Sequence, residues 1–247
     1  MIQGITEFLP VSSSGHLVLL QTIFGFKNML FYDVILHFAT ILAVFVLFFK
    51  EILEYVKDLK IFTKIIILTI PTGIIGLFIK RYFYFVYDNV LFTGVFLFVT
   101  GIWLLIAEKV YLRNIHKKLN INQMSFTKSI IIGILQGVAV LPGISRSAAT
   151  LGGMLVFNFL KEQSVKFIFV ASIPAVIGAT LIEFMDLTKE EIMLFRPVYI
   201  MGAFIAFVFG LLSLKLLIKV VKKQKLMYFS IYCFIISVIC ISIYFLT

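Results

Sequence analysis

Glu7, Ser12, Ser13, Ser14, Gly15 and His16 crowd into one stretch, QGITEFLPVSSSGH at 3–16, and Arg146 stands between two serines in PGISRSAAT at 142–150. A carboxylate moves a proton or holds Mg²⁺ or Ca²⁺. A hydroxyl beside an imidazole makes a nucleophile with its base, and the planar fork of a guanidinium matches a phosphate. Gln3 and Glu7 lie four apart, on one face of a helix, while Ser13 and His16 lie three apart, so that hydroxyl and imidazole can approach. Taken singly these signals are weak. A Ser-x-x-His pair arises readily by accident, and a serine in a membrane helix commonly bonds back to its own backbone.

The elements that must position these groups lie in lipid. Of 247 residues 62% are hydrophobic, 28 are Phe and only 14% are charged, and the mean hydropathy is +1.11. That composition lies far from soluble domains and indicates an all-α integral membrane protein, one membrane domain over 1–247 with no stretch left for a second. The formal charge of +10 does not imply a nucleic-acid partner, because the lysines punctuate apolar segments and form no patch interleaved with aromatics. Cys233 and Cys240 sit seven apart in the last apolar run, an unfavourable place for a disulfide or a metal.

Apolar segments at about 32–49, 61–80, 91–107, 165–183, 198–214 and 226–246 are each close to the length that spans a hydrocarbon core, which predicts about six full transmembrane helices. Two more apolar stretches, 1–24 and 127–160, are broken by LPVSSSGH and LPGISRSAAT. Proline removes a helix hydrogen bond, and lipid cannot satisfy the backbone groups so freed. Both stretches are therefore expected to be re-entrant broken-helix hairpins, buried in protein or lining a wet cavity.

Cationic residues set the orientation. Lys50, Lys57, Lys60, Lys64, Lys109, Arg113, Lys117, Lys118, Lys128, Lys215, Lys219, Lys222, Lys223 and Lys225 mark one side, and Lys27, Lys80, Arg81, Lys189 and Arg196 the other. The richer side is expected to be cytoplasmic, joined by Lys161 and Lys166, with the first hairpin opening outward and the second inward. An inverted repeat follows, about 1–107 and 127–247 around a cytoplasmic linker at about 108–126. Its sequence trace is an offset of 132 that brings Pro10 onto Pro142, Ser13 onto Ser145 and ATILAV at 39–44 onto ASIPAV at 171–176, with Gln3-Gly4 meeting Gln136-Gly137 at 133. Such a repeat brings both breaks to a shared midplane.

If helix resumes after each break, Ser13, Ser14 and Gly15 open one half-helix and Ser145, Arg146 and Ser147 the other. Free N–H groups and the positive end of the dipole favour an anion at such ends. A lone Arg146 at depth costs at least ~2.5 kcal/mol and needs an anionic partner, either Glu7 as a permanent staple or a phosphate sharing the site with Glu7. Asp33 and His37, four apart at an outer helix end, are read as interfacial, and His116 as a solvated loop residue. Pro71 and Pro174 are expected to kink spans, and Glu183, Asp186, Glu190 and Glu191 to form an acidic outer loop.

These two segments carry a resemblance. QGITEFLPVSSSGH resembles the first signature of the undecaprenyl-diphosphatase family, the bacitracin-resistance membrane phosphatases, and PGISRSAAT resembles the second, Pro-Gly-x-Ser-Arg-Ser-x-x-Thr. The likeness runs through the spans as well. It implies hydrolysis of undecaprenyl diphosphate to undecaprenyl phosphate and inorganic phosphate, recycling a carrier for cell-wall polysaccharide synthesis. It also implies a divalent cation, Mg²⁺ or Ca²⁺, and a site facing outside the plasma membrane. By motif, Gln3 and Glu7 take the acidic positions and the metal, Ser13 is nucleophile or phosphate contact, His16 base or alternative nucleophile, and Arg146 the phosphate clamp. Ser12, Ser14, Gly15, Ser145, Ser147 and Thr150 support the phosphate.

Gln3 at the first acidic position leaves Glu7 as the one assured carboxylate. The partners implied are the lipid substrate and the surrounding membrane lipids, with a homodimer left open. Nine residues ahead of Pro10 rise about 14 Å, which barely reaches the midplane. Since family members carry more sequence upstream, the start at Met1 is expected to be truncated or misassigned; no signal peptide is visible. The rival from another class is a transporter or flippase for a lipid-linked anion, which shares broken helices and inverted repeats but needs no nucleophile. A scaffold without activity leaves the cost of Glu7 and Arg146 at depth unexplained.

Overall fold

In the computed structural model, the described residues are all but 26–29, 88, 114–117, 189–196, 223–225 and 247, together with the side chain of Leu30. His116, Glu190, Glu191, Lys27, Lys117, Lys189, Arg196, Lys223 and Lys225 lie outside them. The chain is helical throughout its regular structure: α1 Ile2–Phe8, α2 Ser13–Phe24, α3 Leu30–Leu47, α4 Phe49–Lys57, α5 Leu59–Tyr82, α6 Val90–Arg113, α7 Phe126–Val138, α8 Arg146–Val156, α9 Lys161–Met185, α10 Pro197–Lys222 and α11 Met227–Leu246. Among the described residues no strand forms beyond an isolated bridge between Leu119 and Phe159.

Among the described residues five helices, α5, α6, α9, α10 and α11, are long and apolar enough to cross a membrane, and α3 with α4, bent by 76°, makes a sixth if the pair is one span. The protein is a polytopic all-α membrane protein. Its outer surface carries large exposed apolar side chains such as Ile74, Phe98, Phe204 and Val238, which a bilayer covers and water would not. The spans lie where the sequence places them, with three departures, one being that α10 runs on to Lys222, past its expected end at about 214. The stretch between the spans expected at 32–49 and 61–80 is helix α4 and the start of α5, capped by Asp58, whose carboxylate accepts from the N–H groups of Lys60 and Ile61. Residues 108–113, expected in the linker, continue α6. Pro71 and Pro174 lie inside continuous helices.

The breaks come where the sequence places them, for local reasons. Leu9 precedes Pro10 and is extended, φ −68° and ψ 146°, because the proline ring excludes the helical region from its predecessor, and α1 ends there. Ser12, at φ 65°, caps α2 by accepting the N–H of Gly15 at 3.2 Å. In the second break Gly143 has φ 99°, a conformation suited to glycine, and Ser145 caps α8 by accepting the N–H of Ala148 at 3.2 Å.

The short half-helices stand against full spans through glycines. A Cβ on Gly4 of α1 would collide with the Ala206 carbonyl of α10, and one on Gly133 of α7 with the Leu68 carbonyl of α5. Each contact is closed by a hydroxyl of the facing span. Ser213 donates to the Gly4 carbonyl at 2.7 Å, and Thr72 to the Gly133 carbonyl at 2.9 Å. Close approach through small residues with a hydrogen bond across is how helices hold one another where the solvent is itself apolar.

Candidate active site

The two breaks meet. The Gly143 N–H donates to Ser12 Oγ at 3.1 Å, and the Ser147 hydroxyl donates to the Leu9 carbonyl at 3.0 Å. The N-terminal ends of α2 and α8 are thereby brought to one place.

Glu7, on α1, is the centre of what they hold. Its Oε1 pairs with the Arg146 guanidinium of α8. Its Oε2 accepts from Gln3 Nε2 at 2.8 Å and from the Ser13 hydroxyl at 2.6 Å. The Glu7 side chain is 4% exposed and that of Arg146 29%, so the carboxylate is held inside while the guanidinium reaches an opening. Burying this charge is tolerable because both oxygens are hydrogen-bonded. Short contacts of a hydroxyl to a carboxylate are the strong, charge-assisted kind.

His16 does not join Ser13. Its Nδ1 lies 2.7 Å from the Ser12 carbonyl oxygen and its Nε2 2.8 Å from the Tyr232 hydroxyl of α11. The three-residue spacing allowed a Ser13–His16 contact, but the Ser13 hydroxyl turns back across the break to Glu7. Ser14 lies 3.3 Å from Ser12 through their hydroxyls. The remaining hydroxyls are committed to structure: Ser145 and Ser147 are 3.1 Å apart, and Thr150 donates to the Arg146 carbonyl at 2.8 Å. Gly15, packed against Gly143, leaves no room for a side chain without displacing that backbone.

His37 is the neighbour that sequence reading set aside. Its Nε2 is 4.0 Å from Glu7 Oε2, and its Nδ1 bonds the Asp33 carbonyl oxygen at 2.9 Å. The available signal was a polar pair one turn apart inside an otherwise apolar run. Only the packing of α3 on α1 reveals that the second member faces Glu7.

A cavity of about 20 Å³ lies beside this cluster, between α1, α8, α3 and α9. Glu7, Arg146, Ser147 and Thr150 form its polar end, and Ile41, Val44, Ile168 and Val176 are among its apolar lining. That volume holds about one water.

No group of three or more His, Cys, Asp or Glu side chains able to hold a metal occurs among the described residues. The oxygens around Glu7 do suit a hard cation that keeps most of its shell as phosphate and water. Gln3 Oε1 is buried without a hydrogen-bond partner. An orphaned amide oxygen beside a carboxylate is a fitting second donor for such an ion.

Comparison with known proteins points one way. A family model described as "Bacitracin resistance protein BacA" matches residues 1–239. The undecaprenyl-diphosphatase of Methanosphaera stadtmanae is 38% identical over 97% of this chain and 94% of its own length. That of Alkaliphilus metalliredigens is 39% identical over 98% and 94%, and that of Borrelia recurrentis 36% identical over 99% and 95%.

Proposed function

The chain belongs to the bacitracin-resistance BacA family, and from that premise we propose that it is a membrane phosphatase hydrolysing undecaprenyl diphosphate to undecaprenyl phosphate and inorganic phosphate, recycling the lipid carrier. The observation that carries the residue assignment is Glu7, tied through one oxygen to Arg146 and through the other to Ser13. A phosphoryl group seated on Arg146 would lie next to a hydroxyl already bonded to a buried carboxylate.

In this reading the terminal phosphate displaces Glu7 from Arg146, and the guanidinium neutralises charge on the equatorial oxygens as the bond to the leaving oxygen lengthens. The Ser13 Oγ attacks phosphorus while its proton passes to Glu7 Oε2, the acceptor it already faces. The P–O bond to the bridging oxygen breaks, and undecaprenyl phosphate leaves as an anion. Glu7 gives its proton to the departing phosphate oxygen and becomes a carboxylate again; it then takes a proton from water as the oxygen attacks the phosphoserine, and returns that proton to Ser13 Oγ as the P–Oγ bond breaks, releasing inorganic phosphate. His16 is not the attacking group here because both ring nitrogens are engaged. Mg²⁺ or Ca²⁺, held by Glu7 and Gln3 Oε1, would supply charge neutralisation to the diphosphate. The prenyl chain would leave along the apolar wall of α3 and α9.

The same proposal places the site at the outer face of the plasma membrane. Lys166 bonds Glu51, and Lys222 bonds Glu162, linking α9 with α4 and α10 at one end; Lys80 bonds Asp186 at the other. These ion pairs group the charged residues into two ends as the orientation requires, with the lysine-rich end inside. It also treats 1–107 and 127–247 as inverted repeats within one domain. The matching contacts of α1 with α10 and α7 with α5, each through a glycine and a hydroxyl, support that relation.

The test is orthophosphate release from a polyprenyl diphosphate by protein in lipid nanodiscs, with and without Mg²⁺. Release that depends on the cation is expected. Movement of the lipid diphosphate across vesicles with no phosphate liberated would instead favour the transporter.

A further inference from the structure

Two consecutive residues of α11 grip the first break. Cys233 Sγ lies 3.6 Å from the Pro10 carbonyl oxygen. Tyr232 places its hydroxyl 2.8 Å from His16 Nε2, with the two ring planes within 7° of parallel. The second contact fixes chemistry as well as shape. The Ser12 carbonyl offers only lone pairs, so the His16 nitrogen 2.7 Å from it, Nδ1, carries the proton. In the neutral ring Nε2 is then bare and accepts from the Tyr232 hydroxyl. His16 is buried, and its alternative tautomer would set an N–H against the phenolic oxygen and a lone pair against the Ser12 carbonyl.

Ser12 is the residue this arrangement steadies. Its φ of 65° is uncommon for a side chain larger than glycine. Its carbonyl takes both the His16 ring and the His16 backbone N–H, the latter at 3.3 Å. Its hydroxyl takes the N–H groups of Gly15 and Gly143, one from each break. The next residue is Ser13. A ring held at both nitrogens keeps the Ser12 peptide in place, and with it the start of α2 from which the Ser13 hydroxyl reaches Glu7.

We propose that Tyr232, on the last helix and 216 residues from its partner, is a positioning residue for phosphoryl transfer, acting through His16 and Ser12 on the placement of Ser13. The inference rests on the assignment of Ser13 to the reaction.

Two measurements on separate grounds test it. In protein labelled with ¹⁵N-histidine, the resonances lost in His16→Ala identify His16 among the three histidines. The wild type should show a protonated Nδ1 and a bare, hydrogen-bonded Nε2, and Tyr232→Phe should move that Nε2 further downfield. A wild-type ring protonated at Nε2 would overturn the proposal without reference to activity. In turnover, Tyr232→Phe should lower kcat about tenfold, the worth of one buried hydrogen bond, with KM nearly unchanged. It should have no further effect in a His16→Ala background. An unchanged kcat, a change confined to KM, or additive effects in the double variant would each overturn it. Absence of phosphate release from the unaltered protein would instead overturn the assignment of the reaction, leaving the resonances to report on the Tyr232–His16 bond.

Discussion

The breaks at 9–12 and 139–145 solve the same local problem and leave over different things. Each ends a helix near a proline, turns through a residue with positive φ and restarts with a serine cap. At the second break every hydroxyl is spent on structure: Ser145 on the Ala148 N–H, Ser147 on the Leu9 carbonyl, Thr150 on the Arg146 carbonyl. What remains to face the cavity is a charge, Arg146. At the first break Ser12 alone accepts N–H groups from both breaks, which frees Ser13 to point at Glu7. The comparison assigns chemistry to the first break and charge to the second, and it identifies Ser12 and Ser147 as the stitches between them.

The sharpest way to break that division is at the base. Glu7→Gln keeps the shape and the Gln3 neighbour but removes both the proton acceptor and the anionic partner of Arg146. Phosphate release should fall about 10³-fold, within the range general bases contribute, and its response to Mg²⁺ should weaken, since an amide is a poorer ligand for a hard cation. A titration of rate against Mg²⁺ in the two proteins checks both. On the charged side, Arg146→Lys keeps the cation and loses the fork. The expected loss is about 10- to 100-fold in turnover, while the thermal transition in detergent stays close to that of the unaltered protein.

The stitches give smaller effects of another kind. Ser12→Ala leaves the Gly15 and Gly143 N–H groups buried without an acceptor, at about 1–3 kcal/mol for each unsatisfied group, so thermal unfolding should show a clear loss of stability. Ser147→Ala removes one donor to the Leu9 carbonyl, worth about 1 kcal/mol. Its turnover should stay within about fivefold of wild type, as read in the same phosphate assay.

How much of this the sequence disclosed depends on the range of the interaction. The breaks, the restart of helix after each and the Glu7–Arg146 pair were legible because proline, clustered serines and an arginine are costly in an apolar run and demand a reason. The direction of the Ser13 hydroxyl was not. Local spacing offered His16, and the fold of the break offered Glu7, six residues back. Tyr232 looked like any aromatic in a span, and His37 like an interfacial residue, because their partners come from other helices. Helix α4 was hidden among charges that read as a loop, though Tyr55 on it is buried in the core.

The division of labour is tested most directly by Ser13→Ala, with binding of a polyprenyl diphosphate and orthophosphate release measured on the same nanodisc preparation and Arg146→Lys run beside it. If the first break supplies the attacking group and the second the charge, Ser13→Ala binds the lipid diphosphate about as tightly as the unaltered protein. Its turnover falls by about 10³-fold or more, whereas Arg146→Lys loses binding as well as turnover. Turnover by Ser13→Ala within about tenfold of the wild type would contradict the account, because a hydroxyl that attacks phosphorus cannot be removed at so small a cost.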